Sequence, residues 1–242
     1  MTEYAIKQVE TIGPVRLYLG DCMRVLPFVD RADLCVTDPP YPLTSGGNAE
    51  QVMGGLFAQS EYDNSGKLME MVGWHEMGGP IYRALKADAD CYVMANDKNI
   101  FAAHAGFTGS GFKFHNLLTW NKVRATRNRW YMKNLEFTLY LWKGEADKRG
   151  INDCGSKQSF QLNAKKATDH PTEKPVELMA HYIKNSSQPD DLVLDPFSGS
   201  GATAVACVQT GRRCIAIEKD AEYFKKSCER VRSAVEARRA ES

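Results

Sequence analysis

A carboxylate, two prolines and an aromatic ring follow one another in Asp38-Pro39-Pro40-Tyr41, directly after the mostly apolar run Asp33-Leu34-Cys35-Val36-Thr37. An aromatic exocyclic amine has its lone pair delocalised into its ring, and it becomes nucleophilic only when acceptors hold its N–H bonds. Asp38 and the main-chain carbonyl of Pro39 supply two such acceptors. Tyr41 can stack on the ring that bears the amine, a contact worth about 1–3 kcal/mol per base. The position suits a ligand, because open α/β sheets bind theirs beyond the carboxyl ends of the strands. A plainer reading is a turn capped by Asp38, with the prolines ending the strand.

A second constellation is Leu192-Val193-Leu194-Asp195-Pro196-Phe197-Ser198-Gly199-Ser200-Gly201-Ala202-Thr203-Ala204, which reads as a strand, a tight glycine turn and the start of a helix. Glycines let the backbone turn sharply and let a ligand approach it, while the free N–H groups of the helix start face outward. Seventeen residues after Gly201, at the end of the next apolar run, stands Glu218. An acid there can accept both hydroxyls of a ribose. The spacing Gly199-x-Gly201-x-x-Ala204 also fits a dinucleotide fingerprint, so by itself it implies a nucleoside-containing cofactor; the alternative is a turn that serves packing alone.

Both constellations need a scaffold, and the chain carries one. Apolar runs of strand length recur at Val15–Leu19, Leu34–Thr37, Cys91–Ala95, Phe112–Trp120, Leu135–Trp142, Leu192–Leu194 and Cys214–Ile217. Segments with helical spacing lie between or after them, at Lys67–Leu85, Asn99–Ala105, Val176–Asn185, Ala202–Thr210 and Ala221–Arg239. Short, nearly all-apolar strands alternating with helices predict an α/β fold, a parallel sheet covered on both faces. Residues 42–66 and 143–172 break the pattern and read as long loops, a length that usually marks function or disorder.

The 242 residues suffice for one catalytic domain, 1–242, with a sizeable core. No apolar run approaches the roughly 18 residues a spanning helix needs, and Met1 to Thr11 lack a secretory apolar stretch, so a cytoplasmic protein is expected, with no membrane. The seven cysteines are scattered, with no C-x-x-C pair, which predicts buried reduced thiols and no metal. Net charge is +1, yet residues 1–112 carry −6, residues 113–174 carry +7 and the remainder is neutral. Five basic residues and no acid lie between Lys122 and Lys133: Lys122, Arg124, Arg127, Arg129 and Lys133, interleaved with Trp130 and Tyr131. Such a stretch suits phosphate contact with stacking or wedging beside a displaced base; an exposed hairpin connection is the alternative.

Taken together, Asp38-Pro39-Pro40-Tyr41, the turn Asp195-x-Phe197-x-Gly199-x-Gly201 and His170-Pro171-Thr172-Glu173-Lys174-Pro175 resemble the amino-methylating DNA methyltransferases, in the group whose catalytic tetrapeptide precedes the cofactor turn. The resemblance runs from Gly20-Asp21-Cys22 to Glu218. It implies a Rossmann-like, seven-stranded, mostly parallel sheet with a late antiparallel hairpin, S-adenosylmethionine as cofactor, no metal, and a bacterial or phage origin. It further implies that Asp21 and Cys22 lie by the cofactor's adenine and that Glu218 holds its ribose. Asp195, Phe197, Ser198, Gly199, Ser200, Gly201 and Thr203 would shape its methionine end, and His170, Thr172 and Lys174 would sit near its carboxylate. Asp38 would also face the cofactor.

DNA is the implied partner, and a homodimer is a further candidate. The target is adenine N6 by the Asp at the head of the tetrapeptide, with cytosine N4 as the alternative. A rival of another class is a DNA-binding module that keeps the cofactor fold without transferring methyl groups. Carbon-5 methylation is disfavoured, because no cysteine follows a proline, and an NAD-dependent dehydrogenase leaves the tetrapeptide and the basic segment without a role. Only about 27 residues, 143–169, separate the last hairpin strand from His170. A separate recognition domain does not fit there, so recognition is expected to be shared by a short region within 121–169 and the loop insert 42–66.

Overall fold

The computed structural model describes residues 5–40, 72–123, 131–145, 150–162 and 174–240. Nine strands form one sheet: β1 (Ile6–Ile12), β2 (Val15–Gly20), β3 (Ala32–Thr37), β4 (Leu85–Ala95), β5 (Lys113–Asn121), β6 (Leu135–Trp142), β7 (Ser159–Gln161), β8 (Leu192–Asp195) and β9 (Arg213–Glu218). Among the described residues six α-helices accompany them: α1 (Cys22–Val25), α2 (Trp74–Ala84), α3 (Ile100–Gly109), α4 (Val176–Ser186), α5 (Ala202–Thr210) and α6 (Ala221–Ala240). Strand order is β1-β2-β9-β8-β3-β4-β6-β5-β7. The run from β2 to β4 is parallel, and β6 lies antiparallel to both β4 and β5.

All seven expected strands are present, and the expected count of seven is corrected to nine among the described residues. The additions flank the sheet: β1 pairs antiparallel with β2, and the three-residue β7 pairs with β5. β1 is largely polar and only its last residue is buried, so pairing rather than burial holds it. β4 also starts earlier than its apolar run, at Leu85 directly behind α2. The α2 helix itself begins at Trp74, where the Gly73 N–H donates to the Glu76 carboxylate at 2.8 Å.

Two apolar layers fill the space between sheet and helices, and the period-2 alternation of each strand divides its side chains between them. Leu17, Leu34, Val36, Tyr92, Met94, Val193 and Ala216 face α4, α5 and α6. Tyr18, Cys35, Cys91, Val93, Leu194, Ile215 and Ile217 face α1, α2 and α3. Strands buried on both sides explain why their sequence runs are continuously apolar.

Chain direction fixes where chemistry can sit. From β3 the chain moves outward to β4; from β8 it moves the opposite way to β9. The point of divergence therefore lies between the neighbours β3 and β8, where doubly wound sheets open their crevice. The same rim receives the carboxyl ends of β2, β4, β5 and β9, and the amino end of the reversed β6.

Candidate active site

At that rim Asp38 follows β3 and Asp195 ends β8. The two strands are joined by a buried hydrogen bond in which Thr37 Oγ1 donates to Asp195 Oδ1 at 2.8 Å. The Phe197 N–H donates to the same oxygen at 3.2 Å. Burial pushes the Asp195 carboxyl up to about 6, against the hydrogen bonds from Thr203, Thr37 and Phe197 that draw it down. Thr37 escapes sequence reasoning because it looks like one more member of a buried run.

The turn after β8 is built on left-handed backbone, φ +51° at Gly199 and +83° at Gly201, the latter capping α5. A Cβ on Gly201 would come within 2.4 Å of Ser227 Oγ, so helix α6 closes tightly over the turn. Of the hydroxyls expected to serve a ligand, Ser200 accepts from Arg230 at 3.2 Å and Thr203 is committed to Asp195. Ser198 Oγ is buried with no hydrogen-bond partner among the described residues. Glu218, at the end of β9, accepts from the N–H groups of Gly199 at 2.7 Å and of Lys219 and Asp220 at 2.9 Å. Burial raises its pKa even so. With three of about four lone-pair positions used, its carboxylate retains one acceptor site.

Register brings Asp21 beside Glu218, since Leu19 of β2 pairs with Glu218 of β9. Asp21 caps α1 through Met23 N–H at 2.9 Å. Cys22 follows as a buried thiol; burial and then the neighbouring Asp21 charge push its pKa up to about 12, so it offers an apolar wall and no thiolate.

On the other side of Asp38 the structure assembles an ionic chain. Lys174 Nζ lies 2.5 Å from Asp38 Oδ2 and 3.2 Å from Glu136 Oε2, and Lys122 Nζ pairs with Glu136 Oε1. Lys174 is 6 % exposed. Its ion-pair partners among the described residues are the tetrapeptide carboxylate and Glu136, at the rim where the resemblance also sets the cofactor. Burial raises the pKa of Asp38; Lys174 opposes that and Glu136 reinforces it, leaving it above the aspartate range. Burial pushes Glu136 up as well, but Lys174 and Lys122 overcome it and hold it below the usual range. Asp38 Oδ1 is buried and has no hydrogen-bond partner among the described residues.

Three elements hold this chain in place. β6 delivers Glu136 at its first turn inward, opposite Trp120 of β5, and Lys122 follows β5 with its ammonium 5.3 Å above the Trp120 ring. Helix α4 fixes Lys174 just ahead of it. Its Tyr182 stacks on Tyr92 of β4, which stacks on Tyr140 of β6, at centroid distances of 4.6 and 4.8 Å. The phenols bond to Thr138, Ser186 and Asp90. Glu136 went unnoticed in the sequence as an ordinary strand residue; the available signal was an acid beside the head of an otherwise apolar run.

The remaining expected residues divide. Pro39 and Pro40 follow Asp38, while Tyr41, His170 and Thr172 lie outside the described residues, as do loop 42–66 and Arg124, Arg127, Arg129 and Trp130. Tyr131 is 97 % exposed. Lys133 forms an exposed ion pair with Asp97 at 3.0 Å, a contact of small energetic weight.

Comparison with known proteins agrees with this geometry. A sequence model of the N6/N4 family described as DNA methylase matches residues 32–229. Type II methyltransferase M2.MboI of Moraxella bovis is 28 % identical over 232 residues, spanning 87 % of this chain and 85 % of its own. Among solved structures, the M1.HpyAVI–SAM complex superposes with a TM-score of 0.69 at 24 % identity, over 90 % of this chain and 99 % of its own. The cytosine-N4-specific PvuII DNA methyltransferase superposes at 0.70 and 17 % identity, over 93 % and 89 %. At those identities the two structures speak for the fold.

Proposed function

The chain belongs to the N6/N4 DNA methylase family, and on that premise we propose that it methylates the exocyclic amine of a base swung out of DNA, foremost adenine N6. It is a DNA amino-methyltransferase that uses S-adenosylmethionine. The finer assignment to adenine rests on the Asp that opens the tetrapeptide; cytosine N4 is the runner-up.

The residues at the rim fit such a cofactor. The turn at Gly199 and Gly201 keeps side chains away, Ser198 Oγ is a buried hydroxyl awaiting a partner, and Glu218 keeps one acceptor site. Asp21 and Cys22 would border the adenine, Glu218 the ribose, and Asp195 and Phe197 the methionine end. When bound, the cofactor supplies an electrophilic methyl group on a sulfonium.

The single observation that carries the reading is the asymmetry of Asp38. One oxygen, Oδ2, is held by Lys174, and the other, Oδ1, is buried without a partner among the described residues. A buried acceptor costs free energy until a donor fills it, and an amine N–H directed there by the neighbouring Pro39 carbonyl is such a donor. Asp38 then opposes the positive charge that grows on nitrogen and receives or relays its proton. No covalent intermediate is required, in keeping with the neutral thiol of Cys22. The base must leave the duplex at a cost of a few kcal/mol, which stacking on Tyr41 and phosphate contacts from the 122–133 connection offset. The work is done in the cytoplasm on DNA; a second copy of the chain is a further candidate partner.

Methyl transfer to unmethylated DNA, followed by nucleoside mass analysis, tests this. N6-methyladenine is expected, and Asp38→Ala is expected to lose about 10²–10³-fold or more in kcat, the range for losing one preorganised electrostatic group. Undiminished activity in that variant would overturn the role of Asp38, and N4-methylcytosine would move the assignment to the runner-up. Binding of DNA and cofactor with no transfer would instead support the non-catalytic module.

A further inference from the structure

Glu136 is the carboxylate of the ionic chain that the proposed reaction does not use. It sits at the amino end of the reversed strand β6, so its side chain reaches the same rim as Asp38, which lies at the carboxyl end of β3 two strands away. It is half-buried, and its two oxygens are divided: Oε1 with Lys122, Oε2 at ion-pair distance from Lys174 without hydrogen-bond alignment. Lys174 therefore stands between two carboxylates, 2.5 Å from one and 3.2 Å from the other.

We propose that Glu136 is a positioning residue of the methyl transfer: by sharing Lys174 with Asp38 it anchors that ammonium on Oδ2, leaves Oδ1 for the amine, and keeps Asp38 a stronger proton acceptor than a simple Lys–Asp pair allows. The inference rests on the proposed function, since it concerns how Asp38 is prepared for that chemistry.

An aspartate paired with an undivided ammonium has its pKa drawn down by about 1–3 units, which would make it a weak acceptor. A second carboxylate that divides the ammonium and adds its own repulsion reverses much of that effect. Asp38 and Glu136 are accordingly displaced in opposite directions, Asp38 upward by burial and Glu136 downward once its two ammoniums outweigh burial. Carboxyl pairs whose surroundings drive them apart take different roles in a reaction. Among the described residues, the charged groups that act on Asp38 are Lys174 ahead of α4, Glu136 of β6, Lys122 after β5 and Asp195 of β8. Those that act on Glu136 are Lys174 and Lys122.

Glu136→Gln keeps the side-chain shape and removes the charge. With that repulsion gone and Glu136 no longer drawing on Lys174, the Asp38 pKa moves down, so the acid limb of kcat moves to lower pH by about one unit. The maximal kcat falls roughly tenfold, as expected for a weaker base, while the affinity for S-adenosylhomocysteine stays within twofold of wild type. The companion readout needs no catalysis: carbon-13 NMR of aspartate-labelled protein, with Asp38→Asn to assign the signal, follows the Asp38 carboxyl directly. Its titration moves down in Glu136→Gln and up in Lys122→Met, because Lys122 opposes the rise of Asp38. Opposite displacements in the two variants are the signature of shared charge, which a merely structural Glu136 would not produce.

A Glu136→Gln protein whose acid limb and Asp38 titration match wild type would overturn the inference, as would failure of both variants to move the Asp38 signal. Should Glu136→Gln not fold, Glu136→Ala removes the same charge and is read by the same downward Asp38 shift, and an unmoved Asp38 signal there overturns the inference. A wild-type protein that transfers no methyl group to DNA would bring down the proposed function itself; an active wild type with an unaltered Glu136→Gln would remove this inference alone.

Discussion

Asp195 shows how a single buried carboxylate links the two halves of the rim. It receives Thr37 from the catalytic strand and the Phe197 N–H from its own turn, yet burial still holds its pKa near 6. The folded form thus keeps a proton that the unfolded chain releases near pH 4. Stability from this group is complete below pH 4, is lost as pH rises to about 6, and is absent above that, a swing of roughly 3 kcal/mol. Asp195→Asn carries no such proton. Urea unfolding at pH 4.5 and 7.5 is therefore expected to show a decline with pH that is smaller in Asp195→Asn by about 2 kcal/mol. Equal declines would mean that Asp195 is solvated more than its surroundings indicate. The offset between the proteins, which also contains lost hydrogen bonds, is not the quantity to compare.

At the scale of elements, the glycine turn depends on how closely α6 approaches it. Gly201→Ala would force a side chain into φ +83° and set its Cβ 2.4 Å from Ser227 Oγ. The left-handed backbone alone costs about 1–2 kcal/mol, and the clash adds to it. The variant is expected to melt several degrees lower and to bind S-adenosylhomocysteine at least tenfold more weakly by calorimetry. In Gly201→Ala/Ser227→Ala part of the stability returns and the affinity does not. Recovery of both would place the whole effect in the clash.

Elements also explain what could be read in advance. The parallel strands buried on two faces declare themselves as apolar runs, and helix α5 keeps its expected bounds, Ala202–Thr210, because Gly201 and Gly211 end it in left-handed backbone. β1 and β7 were hidden because flanking strands are held by backbone pairing, which leaves little trace in side-chain polarity. The tetrapeptide and the glycine turn were legible because their chemistry needs particular residues side by side. Glu136, Thr37 and the Lys174–Asp38 pair were not, since each depends on register between strands far apart in sequence: Thr37 meets Asp195 across 158 positions, and Lys174 meets Asp38 across 136.

For the whole molecule, the positional charge imbalance takes on a sharper meaning. Not every cation of the +7 segment is free to meet a phosphate, because Lys122 is held by Glu136 in the ionic chain, whereas Lys133 stays exposed beside Asp97. If the connection is the DNA face, as proposed, its phosphate contacts fall chiefly to Arg124, Arg127 and Arg129. Replacing all three with Ala is expected to reduce the slope of log affinity against log salt by up to about 3, close to one per phosphate contact. Lys122→Met, whose charge is held by Glu136, should leave the slope nearly unchanged. A triple variant with wild-type salt dependence would assign the DNA face elsewhere.

Six of the seven cysteines are buried and Cys154 alone is exposed. It lies in the stretch that Asn152 fastens to the end of α4 through Lys184 O and Ser187 O, and that then runs alongside β5 as β7. The native chain consequently carries one addressable sulfur, on a segment within the region expected to read the target. A dye or spin probe can be attached there without engineering, so the protein comes supplied with its own reporter on that segment.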